Sequence, residues 1–452
     1  MDRLTADDRL ILWPDEVWPQ DIGALAVLDG SGLLDADGNV RIQAARDAVD
    51  RRIHLVPRFR QILRVPRRGL GGPLWVDAAA FDLRDHVQVA PVPPPGDEAQ
   101  LLHTVEQIRR RRLDRSRPLW ELWFLPGLAE GRIALFVRLH HVVADGIAGI
   151  ANVAALLGAG AETTAPPKPW VPAPWPSSSA LLLDNLWRRV AAVRGAVSTL
   201  GPPGDVLRRV RAAWPTVREL LAAEPGPQTS LGRLIGPDRN LALVRGRLDI
   251  MKRVAHAYDA TVNDVLLAVI AAGLRRLLES RGERVEDVVL PVYVPVSLRR
   301  DRSARGGGNL ITQMVVPVPL ATSDFGRRLR QIAAETTSRK AMARPPLGAM
   351  FRSRLLAGVM LKLVARQRVN VVTADLPGPP EPLDVAGAPL LEVFPLLNLI
   401  GTVSLGVGAL SYAGQFNLMI VADADAYPDL EVFAAGVEEE LRAAAAAVTP
   451  SA

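Results

Sequence analysis

The chain has 452 residues, 49% of them apolar, and a formal net charge of +6. Cysteine is absent, which excludes disulfides, thiolate nucleophiles and Cys-ligated metals and gives no sign of a secretory route. Only four of the 54 basic residues are lysines (Lys168, Lys252, Lys340 and Lys362), and no aromatic-interleaved basic motif favours nucleic acid. The excess charge suits anionic partners such as lipid headgroups or CoA phosphates instead.

Residues 1–158 read as a first block, an N-terminal domain. The N-terminus lacks a basic stretch followed by an apolar one, so no signal peptide is expected and the chain reads as cytoplasmic. Residues 23–30 look like a strand, residues 40–56 contain an amphipathic helix, and residues 97–114 form another. Arg109 to Arg112, with Arg115 and Arg117, could meet CoA phosphates, although such a run is usually a solvated face. Two strand candidates follow, residues 119–125 and 132–143, and then a helix from Asp145 to Leu157.

Residues 159–229 change character, with a Pro/Ser-rich linker at 161–179. Two basic amphipathic segments come next, Ala180–Thr199 and Val206–Ala223, carrying Trp187 and Trp214. They could rest on an anionic membrane or lipid droplet, or cover a domain junction.

The last block, 230–452, holds two helices within 249–282, the second starting near the capping candidates Thr261 or Asn263. Residues 288–299 are strand-like, with Pro295 arguing for an edge or irregular position, and Pro317 and Pro319 carry the same implication. A helix is expected over Leu356–Arg368. Val393–Ala422 contains no charge and is long enough to span a bilayer, yet its repeated glycines read better as buried strands. An Ala-rich helix closes the chain. Helices and strands in both halves indicate a mixed α/β, two-domain architecture.

The chemistry concentrates in HHVVADG, His140 to Gly146. If the strand before it continues through both histidines, His141 shares a face with Ile133, Leu135, Val137 and Leu139, and His140 with Phe136 and Arg138. His141 then points into an apolar interior, which favours the neutral imidazole that a general base requires. Asp145 could accept a hydrogen bond from an imidazole or pair with an arginine, and Gly146 lets the backbone turn. Adjacent histidines on a strand point to opposite sides, so a metal site is not expected. No GxSxG elbow is present for a serine hydrolase.

HHVVADG resembles the HHxxxDG motif of the wax ester synthase/diacylglycerol acyltransferase family. Further stretches match in order: Leu113 to Glu121, Val262 to Ala268 with its Asn-Asp pair, Pro295 to Arg299, Leu376 to Pro379, and Ser411 to Gly414. Asp375 departs from the family's usual Asn, and Leu231-Gly232 from an expected Leu-Asn pair. The resemblance implies a chloramphenicol acetyltransferase-like fold with the active site at the domain interface. It implies transfer of a fatty acyl group from acyl-CoA, a co-substrate rather than a resident cofactor, to diacylglycerol or a long-chain alcohol. It assigns His141 as base, with His140, Asp145 and Gly146 supporting it and Asn263, Asp264 and Arg299 contributed from the second domain. Two other readings are a related enzyme condensing or esterifying a secondary-metabolite acceptor, and a non-catalytic lipid-binding protein at a membrane surface.

Overall fold

The computed structural model describes residues 1–144, 146–158, 169–199, 227–297, 311–341, 369–385 and 387–448. In chain order the first half comprises α1 (Ala6–Leu12), β1 (Asp21–Asp29), α2 (Ile42–Asp50), β2 (Gln61–Arg64), β3 (Leu74–Asp77), β4 (Val87–Val89), α3 (Glu98–Arg110), β5 (Trp120–Leu125), β6 (Arg132–His140) and α4 (Gly146–Leu157). After α5 (Ser178–Thr199) come β7 (Arg239–Arg247), α6 (Leu248–Ala257), α7 (Val262–Ser280), β8 (Val289–Ser297), β9 (Ile311–Pro319) and α8 (Phe325–Ala341). The chain then forms β10 (Val371–Pro377), β11 (Asp384–Val385), β12 (Ala388–Leu396), β13 (Leu405–Tyr412), β14 (Gln415–Asp423) and α9 (Leu430–Val448).

These strands make two six-stranded sheets, ordered β11-β12-β1-β6-β5-β4 and β7-β14-β13-β10-β8-β9, beside the small pair β2-β3. The mixed α/β expectation is met, and the charge-free run is strands β12, β13 and β14 rather than a membrane span. No single helix among the described residues is long and apolar enough to cross a membrane. The bent pair α6–α7 has the composition, but its residues from Val265 to Ala271 fill the core of the second half.

Three apolar cores follow from strand alternation. Ile133, Leu135, Val137 and Leu139 of β6 face a core closed by α2 and α4, which holds Ala45, Val49 and Leu156. Ala134 and Phe136 face the other way, into a core that joins the sheets: Leu25 and Phe394 from one, Leu243, Met419 and Val421 from the other, with Leu101 and Val105 of α3. The third core lies between the second sheet and α6, α7, α8 and α9.

The halves are interleaved. Strands β11 and β12 come from the last block, yet β12 pairs antiparallel with β1 across Gly23↔Leu396 to Leu28↔Leu390. A boundary drawn by sequence position, as at residues 158 and 230, leaves this hairpin on the wrong side of the first sheet. Proline placement agrees with the ladder rule that a missing N–H is tolerated where no partner strand needs it. Pro317 and Pro319 lie on the edge strand β9, and β8 pairs with β10 only at Val292 and Tyr293, short of Pro295. The helix expected over 356–368 and the amphipathic segment 206–223 lie outside the described residues.

Candidate active site

Strand β6 delivers the histidine pair, but it ends at His140, so His141 opens the turn leading to α4. His141 is half-buried, at the first residue past the strand. Its N–H donates to the Gln20 carbonyl at 2.8 Å, extending the β1–β6 ladder by one bond.

His140 keeps the parity expected for it, on the side of Arg138, and is almost fully buried. The Val142 N–H donates to its Nδ1 at 3.1 Å. Nδ1 is therefore the acceptor, so the proton belongs on Nε2. Nε2 lies 3.2 Å from Asp15 Oδ1, an oblique electrostatic contact rather than an aligned hydrogen bond. Nδ1 of His140 is thus taken within the protein, and Nε2 faces the Asp15 carboxylate.

Asp15, in a short helical turn at Pro14–Glu16, was not singled out by the sequence. Its carboxylate takes the Gln20 N–H at 2.8 Å and an ion pair from Arg115, while Arg112 donates to its carbonyl at 2.6 Å. Burial pushes this carboxyl up, but His140, Arg115 and the Gln20 N–H outweigh it and hold the group well below the usual carboxylate range. Asp21, directly across from His140 in the β1–β6 ladder, behaves oppositely. Burial pushes it up to about 6 against the pull of Arg138 and His140. Arg138 bonds Glu121 through Nε at 2.9 Å and the Arg111 carbonyl at 2.6 Å, with Asp21 at 3.6 Å. A cavity of about 350 Å³ opens beside this network, lined by Asp15, Asp21, Arg112, Leu113, Arg115 and His140.

The arginine run is more than a solvated face. Arg109 donates to the Pro237 carbonyl at 2.9 Å and Arg110 pairs with Asp238 at 3.0 Å, tying α3 to the second half. Arg112 and Arg115 brace the turn that carries Asp15. A second tie runs through Gln20, whose Oε1 accepts from Asn398 at 2.7 Å. Gln20, bonded to His141, is thereby linked to the loop that follows β12. Neither Gln20 nor Asn398 belongs to a recognisable motif; only the fold brings residues 378 positions apart together.

Of the other expected site residues, Asp145 and Arg299 lie outside the described residues, and Gly146 is the first residue of α4. Asp264 completes a capping box at the start of α7: its carboxylate takes the Thr261 N–H at 2.8 Å, and the Asp264 N–H bonds Thr261 Oγ1. Its second oxygen accepts from buried Thr336 at 2.7 Å. Asn263, half-buried, sits beside it in the first turn. Among the described residues, no group of three or more His, Asp or Glu could hold a metal ion.

The sequence profile of the wax ester synthase/diacylglycerol acyltransferase catalytic domain matches residues 4–266, and that of the family's C-terminal domain matches residues 307–444. A protein of Mycobacterium tuberculosis named as a probable diacylglycerol O-acyltransferase is 31% identical over 435 residues, covering 92% of this chain and 89% of its own length. Another from the same organism is 31% identical over 484 residues, covering 100% of this chain and 99% of its own. Among solved structures, the wax ester synthase/diacylglycerol acyltransferase from Marinobacter aquaeolei VT8 superposes with a TM-score of 0.68 at 24% identity, covering 99% of both chains. The starter condensation domain of rhizomide synthetase, solved with C8-CoA, gives 0.61 at 16% identity, covering 99% of this chain and 94% of that one.

Proposed function

The chain belongs to the wax ester synthase/diacylglycerol acyltransferase family and is an acyl-CoA-dependent O-acyltransferase, in which we propose that His141 is the general base. The acceptor is diacylglycerol or a long-chain alcohol, as in the names of the relatives. The motif carries the assignment: His141 is the second histidine of the HHxxxDG segment, which lies inside the matched catalytic-domain region, while the Val142 N–H occupies Nδ1 of His140.

His141 takes the proton of the acceptor hydroxyl as that oxygen attacks the thioester carbonyl of acyl-CoA. The tetrahedral adduct then expels the CoA thiolate, which receives the proton from the imidazolium, so no net proton leaves the site. General-base assistance of this kind is typically worth about a hundred- to ten-thousand-fold, and holding the two substrates together contributes further through orientation. Asp145, Gly146 and Arg299 are supporting residues by the motif alone, and Asp264 braces the start of α7, beside Asn263.

The test is release of CoA from palmitoyl-CoA in the presence of dioleoylglycerol or hexadecanol, compared with His141→Ala. A loss of about a hundredfold or more in kcat is expected. Retained activity would remove His141 from the mechanism, and a wild type inert with both alcohols would remove the lipid acceptor.

We further propose that α5 rests on an anionic lipid surface, peripherally. Leu181 and Asp184 anchor this helix to β3 and to Arg3. Beyond them Leu183, Leu186, Trp187 and Val190 form an exposed apolar stripe at helical spacing, flanked by Arg188 and Arg189. Flotation with anionic vesicles at low salt should be lost in Leu183→Ser/Trp187→Ser, and failure of the wild type to float would refute the claim.

A further inference from the structure

We propose that Asp15 is the positioning residue of the acyl-transfer site, setting the place of His141 by gripping the chain on both sides of it. The inference rests on His141 being the base. One carboxylate oxygen, Oδ1, serves two arms. Along the first it accepts the Gln20 N–H at 2.8 Å, and the Gln20 carbonyl accepts the His141 N–H at 2.8 Å. Along the second it faces His140 Nε2 at 3.2 Å, and His140 Nδ1 accepts the Val142 N–H at 3.1 Å. The residues before and after the base are thereby referred to a single buried atom.

The turn is also closed by the Val143 N–H, which donates to the His140 carbonyl at 2.8 Å. Strand β6 ends at His140, and its hydrogen bonding to β1 runs one residue further, through the His141 N–H. The neighbouring carboxyl, Asp21, accepts no hydrogen bond at Oδ2 and stands 3.6 Å from Arg138. Asp15 is itself locked, by Arg115 on its other oxygen and Arg112 on its carbonyl. A negative charge in this place also holds His140 in the Nε2–H form that leaves Nδ1 open to the Val142 N–H. The reaction returns its proton to the departing thiolate, so this assembly is not required to titrate; it is required to stay still. Gln20 adds reach, because its side chain accepts from Asn398 and so ties the same turn to the second half.

Asp15→Asn separates the two arms. Its remaining carbonyl oxygen can still accept the Gln20 N–H, while the charge opposite His140 is gone. A misplacement of about 1 Å at a reacting group can cost on the order of a hundredfold, so kcat should fall about ten- to a hundredfold. The KM for palmitoyl-CoA should stay within about threefold, because an effect relayed through the base weakens the transition state rather than the ground-state complex. Combined with His140→Asn, the second substitution should add less than about twofold, since both act through one contact. Rates are normalised to folded protein by far-UV circular dichroism. If Asp15→Asn does not fold, His140→Asn alone carries the test, with the same kcat loss expected. Three results would overturn the proposal: wild-type kcat in Asp15→Asn, a rise in KM at constant kcat, or independent, multiplying losses in the double variant. The parent reading fails separately, through an active His141→Ala; a dead His141→Ala beside a fully active Asp15→Asn defeats only the role of Asp15.

Discussion

Burial pushes on Asp15, Asp21 and Asp375 alike, and partners decide whether the push prevails. Asp15 has an arginine, a backbone N–H and a histidine, and its carboxyl is held down. Asp21 has an arginine at longer range and rises to about 6. Asp375, on β10 opposite Ala409, has burial as its sole influence and also rises to about 6. Its folded value exceeds the unfolded 3.8, so between pH 4 and 6 the folded chain keeps a proton that the unfolded chain has released. Stability from this group is present below that window and lost as pH rises through it. Asp375→Asn should therefore match the wild type at pH 4 and be about 1–3 kcal/mol more stable at pH 8 in urea unfolding. Equal stability at pH 8 would show that the carboxylate is solvated. The sequence marked Asp375 as a departure from the family pattern but gave no hint that burial raises its carboxyl. The histidine pair was legible as a motif; Asp15 was not, since an aspartate 125 positions before His140 carries no local signal.

Elements were legible where local chemistry alone decides them. Thr261 and Asp264 spell a capping box three residues apart, and α7 starts there. Alternation along β6 correctly separated Ile133, Leu135, Val137 and Leu139 from Phe136. Alternation does not say where the strand stops, and β6 ends at His140. Close helix packing was equally hidden. Gly273 of α7 lies against α9, where an added Cβ would come within 2.7 Å of Val437 Cγ2 and 2.9 Å of the Phe433 ring. Alanine is a better helix former by about 1 kcal/mol, whereas overpacking costs about 1–3 kcal/mol. The clash involves a branched side chain and an aromatic ring in a filled core, so packing should dominate. Gly273→Ala should lower stability by about 1–2 kcal/mol in chemical denaturation. A more stable variant would mean that α9 can shift away at little cost.

At the scale of the whole molecule, the two halves share one structure. Strand β12 joins the first sheet from far downstream, with Leu396 opposite Gly23 of β1, and a common apolar core lies between the sheets. Composition, the HHxxxDG segment and its companion blocks were enough to establish the family, the reaction class and a mixed α/β fold, because each is written in residue identity and short spacing. Tertiary structure alone decided the crossing hairpin, the end of β6 between the two histidines, and the convergence of Asp15, Gln20 and Asn398 on the turn that carries His141. Those features depend on contacts between distant segments, whose geometry is fixed only when the cores that bring them together have formed.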